Sequence, residues 1–120
     1  MTFAGRRVLV VEDDFLVSLA TTDLLESEGC VIVGPAAHLA EALRLAQSES
    51  LDAGVLDIDI AGEMVWPVAE ALHRRQIPFL FLSAFPQLNT MPLLLARAPY
   101  LEKPLQPARL LHFLTVIWRD

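Results

Sequence analysis

Short, unbroken apolar runs alternate with segments of helical periodicity along the chain, and this alternation limits the possible folds more than any other feature. The run at residues 8–11 (VLVV) contains no polar residue, so both faces of a strand over these residues would be apolar, which is typical of a strand buried on both faces. In the segment 39–46 (LAEALRLA), apolar residues recur at the spacing of one helix face. The predicted strands span residues 8–11, 30–33, 51–56, 78–82 and 100–101, and the clear helical patterns lie at 16–24, 39–46, 65–72 and 110–117.

Strands that alternate with helices over short connections predict an α/β fold with a parallel sheet. We therefore expect a doubly wound, five-stranded parallel sheet with helices on both faces. The segment 86–98 departs from the pattern, because three prolines lie within or beside it. Only Leu93–Leu95 has helical character there, so the fourth helix is predicted to be shortened or irregular.

The composition argues against several classes of function. With 120 residues, the chain is long enough for one domain with a real core, and we predict a single domain over residues 1–120. A net charge of -6 argues against non-specific binding to nucleic acid or to anionic lipid. The single cysteine, Cys30, cannot form an internal disulfide, and no apolar run approaches the roughly 18 residues of a membrane span. These features favour a cytoplasmic protein.

Polar side chains follow the predicted strands at the points where the strands end. The first strand runs into the acidic stretch 12–14 (EDD), the third ends in Asp57, the fourth in Ser83, and the fifth runs into Lys103. In parallel α/β sheets the functional site lies beyond the carboxyl ends of the strands. These residues, which are far apart in the sequence, are therefore predicted to converge.

The converging groups are those that phosphoryl transfer requires. Several carboxylates at one edge of a sheet repel each other and need a cation, and oxygen ligands of this kind suit Mg²⁺. The metal ion and a lysine neutralise charge on the phosphoryl oxygens, while a hydroxyl donates to a third oxygen. A carboxylate within the cluster can act as the nucleophile and form an aspartyl phosphate.

Four segments together resemble the response-regulator receiver domain of two-component signalling. They are VLVVEDD, VLDIDIAG, FLFLSAF and YLEKP, in that order, and the resemblance extends from Val8 to about Trp118. It implies a flavodoxin-like (βα)5 fold and a signalling module that is not an enzyme. It also implies a phosphoryl donor, which is a sensor histidine kinase or a phosphotransfer protein, and a conformational signal passed on by contact with a downstream protein.

The resemblance implies a phosphoacceptor and a metal site. Asp57 corresponds to the residue that accepts the phosphoryl group. Glu12 and Asp13 correspond to the acidic pair that holds Mg²⁺ together with Asp57, and Asp13 is the more direct ligand. Asp59, two residues after the acceptor, corresponds to the residue that offers its backbone carbonyl to the metal ion.

The resemblance also implies a set of switch residues. Ser83 corresponds to the switch hydroxyl, Lys103 to the lysine that contacts the phosphoryl group, and Tyr100 to the switch aromatic residue. The Lys103-Pro104 peptide bond is often cis in this family.

Two departures from the family pattern are visible in the sequence. After the acceptor the family usually has Pro-Gly, whereas this chain has Ala61-Gly62, which should alter the loop conformation without removing the chemistry. The segment between Ser83 and Lys103 is short and rich in proline. Output through the fourth helix, which is typical of the family, is therefore not assured here.

Two other functions fit part of the pattern. The DID motif at the end of a strand also resembles haloacid-dehalogenase-type phosphatases, in which Asp57 would be the nucleophile and Asp59 the general acid and base. The position of Glu12 and Asp13 before that motif disfavours this alternative. The other alternative is a degenerate receiver that acts only as a binding scaffold.

The sequence of the last helix allows two interpretations. Leu111 and Trp118 form a second apolar stripe, which is either part of a wide buried face or a surface for a partner or a homodimer. We expect no DNA-binding segment within residues 1–120, where no basic face is evident in the sequence. If the sequence is a fragment, an effector domain could follow residue 120, and if it is complete, the signal must pass through protein contact. Output is therefore expected through a protein partner, without direct contact to nucleic acid or membrane.

Overall fold

The structure, a computed structural model, describes residues 3–84 and 91–119. Its strands are β1 (Arg7–Val11), β2 (Val31–Ala36), β3 (Ala53–Leu56), β4 (Asp59–Ile60), β5 (Glu63–Met64), β6 (Phe79–Ser83) and β7 (Tyr100–Glu102). Its α-helices are α1 (Phe15–Ser27), α2 (Leu39–Ser48), α3 (Trp66–Arg74) and α4 (Pro107–Ile117), and Leu93–Leu95 forms a 3₁₀ turn.

Five strands pair in one parallel sheet in the order β2-β1-β3-β6-β7. This order confirms the predicted doubly wound, five-stranded α/β fold. The register brings the ends of β1 and β3 level, since Val11 pairs with Leu56, and β6 continues from Phe81, beside Leu56, to Ser83. The residues that follow these strands must therefore lie side by side.

Alternate residues of each strand enter different cores, as the pleat of a strand requires. In β1, Leu9 and Val11 pack on the side of α2 and α3, whereas Val8 and Val10 pack on the side of α1 and α4. All four side chains are fully buried or nearly so. A strand buried on both faces explains why the run 8–11 has no polar residue.

The local signals at the helix ends have clear structural counterparts. Asp14 caps α1, because its Oδ1 accepts hydrogen bonds from the backbone N–H groups of Leu16 and Val17. Gly29 follows the end of α1 with a φ of 99°, which suits glycine. The second strand, predicted at residues 30–33, instead starts at Val31 and continues to Ala36, because the chain pairs with β1 beyond Gly34-Pro35.

The prediction of a shortened fourth helix is confirmed. Among the described residues between β6 and β7, only Leu93–Leu95 are helical, and they form a single 3₁₀ turn. The rest of the predicted irregular segment, up to residue 90, lies outside the described residues. None of the described helices is long and apolar enough to cross a membrane.

Trp118, which the sequence left between core and partner surface, belongs to the core. Its side chain is only 6% exposed, and its ring lies edge-on to Phe3 at 5.6 Å between centroids. The indole Nε1 donates a hydrogen bond to the carbonyl of Asp52 at 3.1 Å. The interpretation of Trp118 as a partner surface is therefore wrong, whereas Leu111 is half-buried.

Gly34 generates a prediction about stability. Its φ is 99°, and a Cβ added there would lie 2.8 Å from the backbone nitrogen of Ala36 and 3.0 Å from the carbonyl oxygen of Val10. Backbone atoms inside a sheet cannot yield easily, so we expect Gly34→Ala to lower the free energy of unfolding by about 2–4 kcal/mol. Urea denaturation at equilibrium measures this change.

Gly5→Ala is the matched control, because Gly5 also has a positive φ of 78° but has nothing within 4 Å of an added Cβ. Only the backbone cost of about 1–2 kcal/mol is expected there. Equal losses of stability for the two variants would contradict the steric argument.

Candidate functional site

The strand register brings two buried carboxylates together at the carboxyl end of the sheet. Glu12 follows β1 and Asp57 follows β3, and their exposed fractions are 5% and 6%. Ser83, the last residue of β6, is also buried nearby. Burying two carboxylates is costly unless a cation compensates for their charge.

Lys103 supplies that cation. Its Nζ lies 2.9 Å from Oε1 of Glu12 and 3.1 Å from Oδ2 of Asp57, and its side chain is only 15% exposed. The residue follows β7, and its backbone N–H donates to the carbonyl of Ser83, which fixes the start of the loop that carries it. The next peptide bond, Lys103-Pro104, is cis. The sheet edge therefore aims the ammonium group between the two carboxylates.

Burial dominates the electrostatics of Glu12. It raises the pKa of this carboxyl from 4.5 to about 7, although hydrogen bonds from Lys103 and from the backbone N–H of Asp14 act in the opposite direction. Asp57 also raises the pKa of Glu12. Burial opposes the charged form of Lys103, but its hydrogen bonds to Glu12 and Asp57 outweigh this effect and raise its pKa.

Asp13 stands beside this pair and is tied to the loop after the acceptor. Its Oδ2 accepts a hydrogen bond from the backbone N–H of Ala61 at 2.9 Å. Carboxylate oxygens of Glu12, Asp13 and Asp57 lie within 4.8 Å of one another, with one ammonium group among them. Three carboxylates and one lysine leave an excess of negative charge, and a hard divalent cation such as Mg²⁺ fits this set of oxygen donors.

The loop after Asp57 contains a small hairpin that the sequence reasoning missed. β4 and β5 pair antiparallel around Ala61 and Gly62, whose φ values are 52° and 88°. Asp59 is exposed and belongs to β4, and its Oδ1 accepts a hydrogen bond from the N–H of Gly62. Two-residue strands are too short to show alternation, although a two-residue turn with glycine is a hairpin signal.

A cavity of 330 Å³ opens above the acceptor. Its described lining residues are Asp13, Asp57, Asp59, Gly62, Ser83, Ala84 and Lys103. Five of the seven predicted site residues therefore line this cavity: Asp13, Asp57, Asp59, Ser83 and Lys103. The sixth, Glu12, contacts Lys103.

Tyr100, the seventh predicted residue, lies beside this cavity. Its hydroxyl donates a hydrogen bond to the backbone carbonyl of Ser83 at 3.3 Å, and its ring is half-buried. Burial and then the nearby Glu102 carboxylate raise the pKa of the phenol. The side chain is therefore connected to the end of β6 and can respond to movement there.

The acidic cluster predicts which carboxylates bind Mg²⁺. We expect Asp13→Asn to weaken Mg²⁺ binding at least about tenfold, because it removes one of three clustered anionic ligands. Isothermal titration calorimetry measures the affinity. Asp14→Asn is the control, since Asp14 caps α1 and asparagine is an equally good cap. A similar loss in both variants would show that general negative charge, and not this cluster, attracts the ion.

Lys103 should hold the metal-free site together. We expect Lys103→Met to lower the free energy of unfolding by about 3 kcal/mol, because it leaves two buried carboxylates without a cation. Mg²⁺ should reduce this deficit by restoring positive charge. Urea denaturation with and without Mg²⁺ tests both statements. Arg44→Met, at an exposed position on α2, should change stability by less than about 0.5 kcal/mol; a Lys103→Met variant as stable as this control would contradict the argument.

Comparison with known proteins agrees with this geometry. The sequence matches the family described as response regulator receiver domain over residues 8–115. Among curated proteins, it is 32% identical over 83 residues to the transcriptional regulatory protein PdtaR of Mycobacterium tuberculosis. That match covers 68% of this chain and 40% of PdtaR, so the chain spans well under half the length of this relative.

Solved structures show the same fold. The solution structure of SdrG from Sphingomonas melonis Fr1 is 30% identical, with a TM-score of 0.79 and 98% of each chain covered. The receiver domain of sensor histidine kinase PA1611 from Pseudomonas aeruginosa PAO1 is 24% identical, with a TM-score of 0.82 over 98% of this chain and 100% of that one. The crystal structure of PA1611 has a magnesium ion coordinated in its active site cleft. The family match extends over most of the sequence, and the chain therefore belongs to the response regulator receiver domain family.

Proposed function

We propose that this chain is a phosphorylatable receiver that accepts a phosphoryl group on Asp57. The observation that carries the proposal is the position of Asp57, whose carboxylate lines an open cavity, is held by Lys103 at 3.1 Å, and lies beside two further carboxylates. The donor is a sensor histidine kinase or a phosphotransfer protein. In the transfer, a carboxylate oxygen of Asp57 attacks phosphorus, the P–N bond of the donor phosphohistidine breaks, and the imidazole leaves with the electron pair.

The residues around Asp57 support this chemistry by their charge. Glu12, Asp13, Asp57 and the backbone carbonyl of Asp59 would hold Mg²⁺, which neutralises charge on the phosphoryl oxygens when it is bound. The magnesium ion in the receiver domain of PA1611 supports this assignment. Lys103 contributes a second positive charge at the same place without leaving the site.

The same contacts suggest how phosphorylation of Asp57 changes the conformation of the site. A phosphoryl group on Asp57 adds negative charge within reach of Lys103, which now divides its hydrogen bonds between Glu12 and Asp57. In our proposal Lys103 turns to the phosphoryl oxygens and the Ser83 hydroxyl donates to another of them. Tyr100 is attached to the Ser83 carbonyl and would follow that movement.

The output follows from this switch. We propose that the 120 residues form one receiver unit in the cytoplasm, where kinases have access to ATP, and that a downstream protein partner recognises the changed surface. The name of PdtaR refers to transcriptional regulation, but this chain covers 40% of that protein. Our proposal therefore assigns the chain a switching role through protein contact, without direct binding to nucleic acid or membrane.

The acceptor assignment predicts a single modification. Incubation with Mg²⁺ and a small acyl phosphate should add one acid-stable, base-labile phosphoryl group to the chain, and Asp57→Asn should abolish it. Intact-mass spectrometry measures the product. Asp59→Asn is the matched control, because Asp59 lines the same cavity but should contribute only its backbone carbonyl; it should still be phosphorylated.

Other outcomes separate the alternatives. Equal modification of the Asp57→Asn variant would exclude Asp57 as the acceptor. Repeated hydrolysis of a phosphomonoester, lost in Asp59→Asn, would favour a dehalogenase-type phosphatase. No phosphorylation together with no Mg²⁺ binding would favour a receiver that serves only as a scaffold.

A further inference from the structure

The turn at the tip of the β4–β5 hairpin donates hydrogen bonds to two carboxylates of the cavity at Asp57. The backbone N–H of Ala61 donates to Oδ2 of Asp13 at 2.9 Å. The backbone N–H of Gly62 donates to Oδ1 of Asp59, also at 2.9 Å, and this bond closes the turn on itself. Ala61 and Asp13, in contrast, are 48 residues apart. Their bond therefore ties the turn to the connection between β1 and α1.

The backbone conformation of the turn explains why the N–H of Ala61 is available to Asp13. Ala61 and Gly62 lie between the paired residues Ile60 and Glu63, and their φ values are both positive, at 52° and 88°. In a two-residue hairpin turn of this kind, the residues that flank the turn make the hydrogen bonds between the strands. The N–H groups of the two central residues are therefore left for acceptors outside the ladder.

The side chain of Asp13 needs such a contact to stay at the site. Among the residues that the structure describes, the N–H of Ala61 is its one hydrogen-bond partner, and the residue is exposed. Its charge lies near those of Glu12 and Asp57, with the ammonium group of Lys103 among them. Repulsion between the carboxylates favours rotamers that turn Asp13 towards solvent. The hydrogen bond opposes that rotation and keeps an Asp13 oxygen within 4.8 Å of the other two carboxylates.

The hydrogen bond is compatible with a metal ion on the same carboxylate. An ionised carboxylate has two oxygens with about four lone-pair sites, and the N–H of Ala61 occupies one of these on Asp13. The remaining sites can bind Mg²⁺ while the bond is kept. Partners that hold a ligand in this way strengthen metal binding, because the ligand is already oriented when the ion arrives.

The contact depends on a residue at which the chain departs from its family. The receiver family usually has proline where this chain has Ala61, and proline has no N–H to donate. Proline also cannot adopt the φ of 52° that Ala61 has in the turn. Alanine in place of proline therefore permits this turn and adds a hydrogen-bond donor beside the cavity.

We infer that the backbone N–H of Ala61 positions Asp13 for Mg²⁺, which makes Ala61 a positioning residue of the metal site. This role rests on the proposed metal site and adds to it a support from the β4–β5 hairpin. Because coupling between two equilibria is reciprocal, Mg²⁺ should in turn strengthen the hydrogen bond between Ala61 and Asp13.

Removal of this N–H alone tests the positioning role. Incorporation of lactic acid at position 61 by nonsense suppression replaces the N–H with an ester oxygen and keeps the methyl side chain. We expect the Mg²⁺ affinity, measured by isothermal titration calorimetry, to fall about tenfold. In an Asp13→Ala background, the same ester should change the affinity by less than about twofold, because the side chain that it positions is absent.

Lactic acid at position 40 is the matched control. Ala40 is exposed in the first turn of α2, where backbone N–H groups have no partner within the helix. The ester is chemically the same, including the weaker carbonyl of the preceding residue, and Ala40 does not line the cavity at Asp57. The Mg²⁺ affinity of this variant should stay within about twofold of that of the unmodified chain. Thermal unfolding checks that both esters are folded.

NMR spectroscopy gives a second measurement that needs no ester. Saturating Mg²⁺ should slow the hydrogen exchange of the Ala61 amide about tenfold, the factor by which the N–H strengthens metal binding. Without Mg²⁺, Asp13→Ala should move the Ala61 amide proton upfield in ¹⁵N–¹H spectra, because the acceptor of its hydrogen bond is lost.

Several results would overturn the positioning role. They are an unchanged Mg²⁺ affinity of the Ala61 ester, an equal loss in the Ala40 ester or in the Asp13→Ala background, and faster exchange of the Ala61 amide when Mg²⁺ binds. Faster exchange would show that Asp13 must release the turn to bind the ion. If Asp13→Ala weakens Mg²⁺ binding but the ester does not, the proposed metal site stands and the role of Ala61 alone fails. If the unmodified chain binds no Mg²⁺, both fail.

Discussion

The lysine that two buried carboxylates share is the interaction on which the site depends. Parallel pairing of β1 and β3 with Val11 opposite Leu56 forces Glu12 and Asp57 to emerge side by side. Their charges would oppose that register unless a cation lay between them. Lys103 follows β7, the edge strand, which is two strands away from β3. Its ion pairs therefore join β1, β3 and β7 at their carboxyl ends. The contact that stabilises the metal-free sheet is therefore the one that phosphorylation would disturb.

Much of this arrangement could be predicted from the sequence because it follows from strand ends. A parallel sheet places the residues after its strands at one edge, so Glu12, Asp57, Ser83 and Lys103 could be brought together without any distance information. The hairpin around Ala61 could not be predicted in this way, because its strands of two residues have no periodicity to detect. The burial of Trp118 was also open, because its partners Phe3 and Asp52 belong to segments far away in the sequence, and no local pattern shows that the last helix contacts them.

The distribution of charge along the chain illustrates a different limit of sequence reasoning. Counting charges over the whole chain indicated an acidic protein, and the count is correct. The total, however, conceals a division, since residues 1–72 hold 13 of the 15 acidic residues and residues 73–120 hold six of the nine lysines and arginines. The proline-rich segment was recognised as unfavourable for a helix, and its described residues hold a single 3₁₀ turn at Leu93–Leu95.

A change at Asp57 can reach other parts of the molecule only through elements that have two arrangements. A parallel ladder such as β6 with β7 has one hydrogen-bonded register, so it does not itself offer two states of similar energy. Tyr100 and the turn Leu93–Leu95 are better placed, because Tyr100 bonds to Ser83 and shares a further cavity of 370 Å³ with Leu93. If movement of Tyr100 changes the position of that turn, phosphorylation of Asp57 would alter the surface that a partner protein could contact there. A partner bound at that surface would then alter the equilibrium of phosphorylation by the same factor, because coupling between two equilibria is reciprocal.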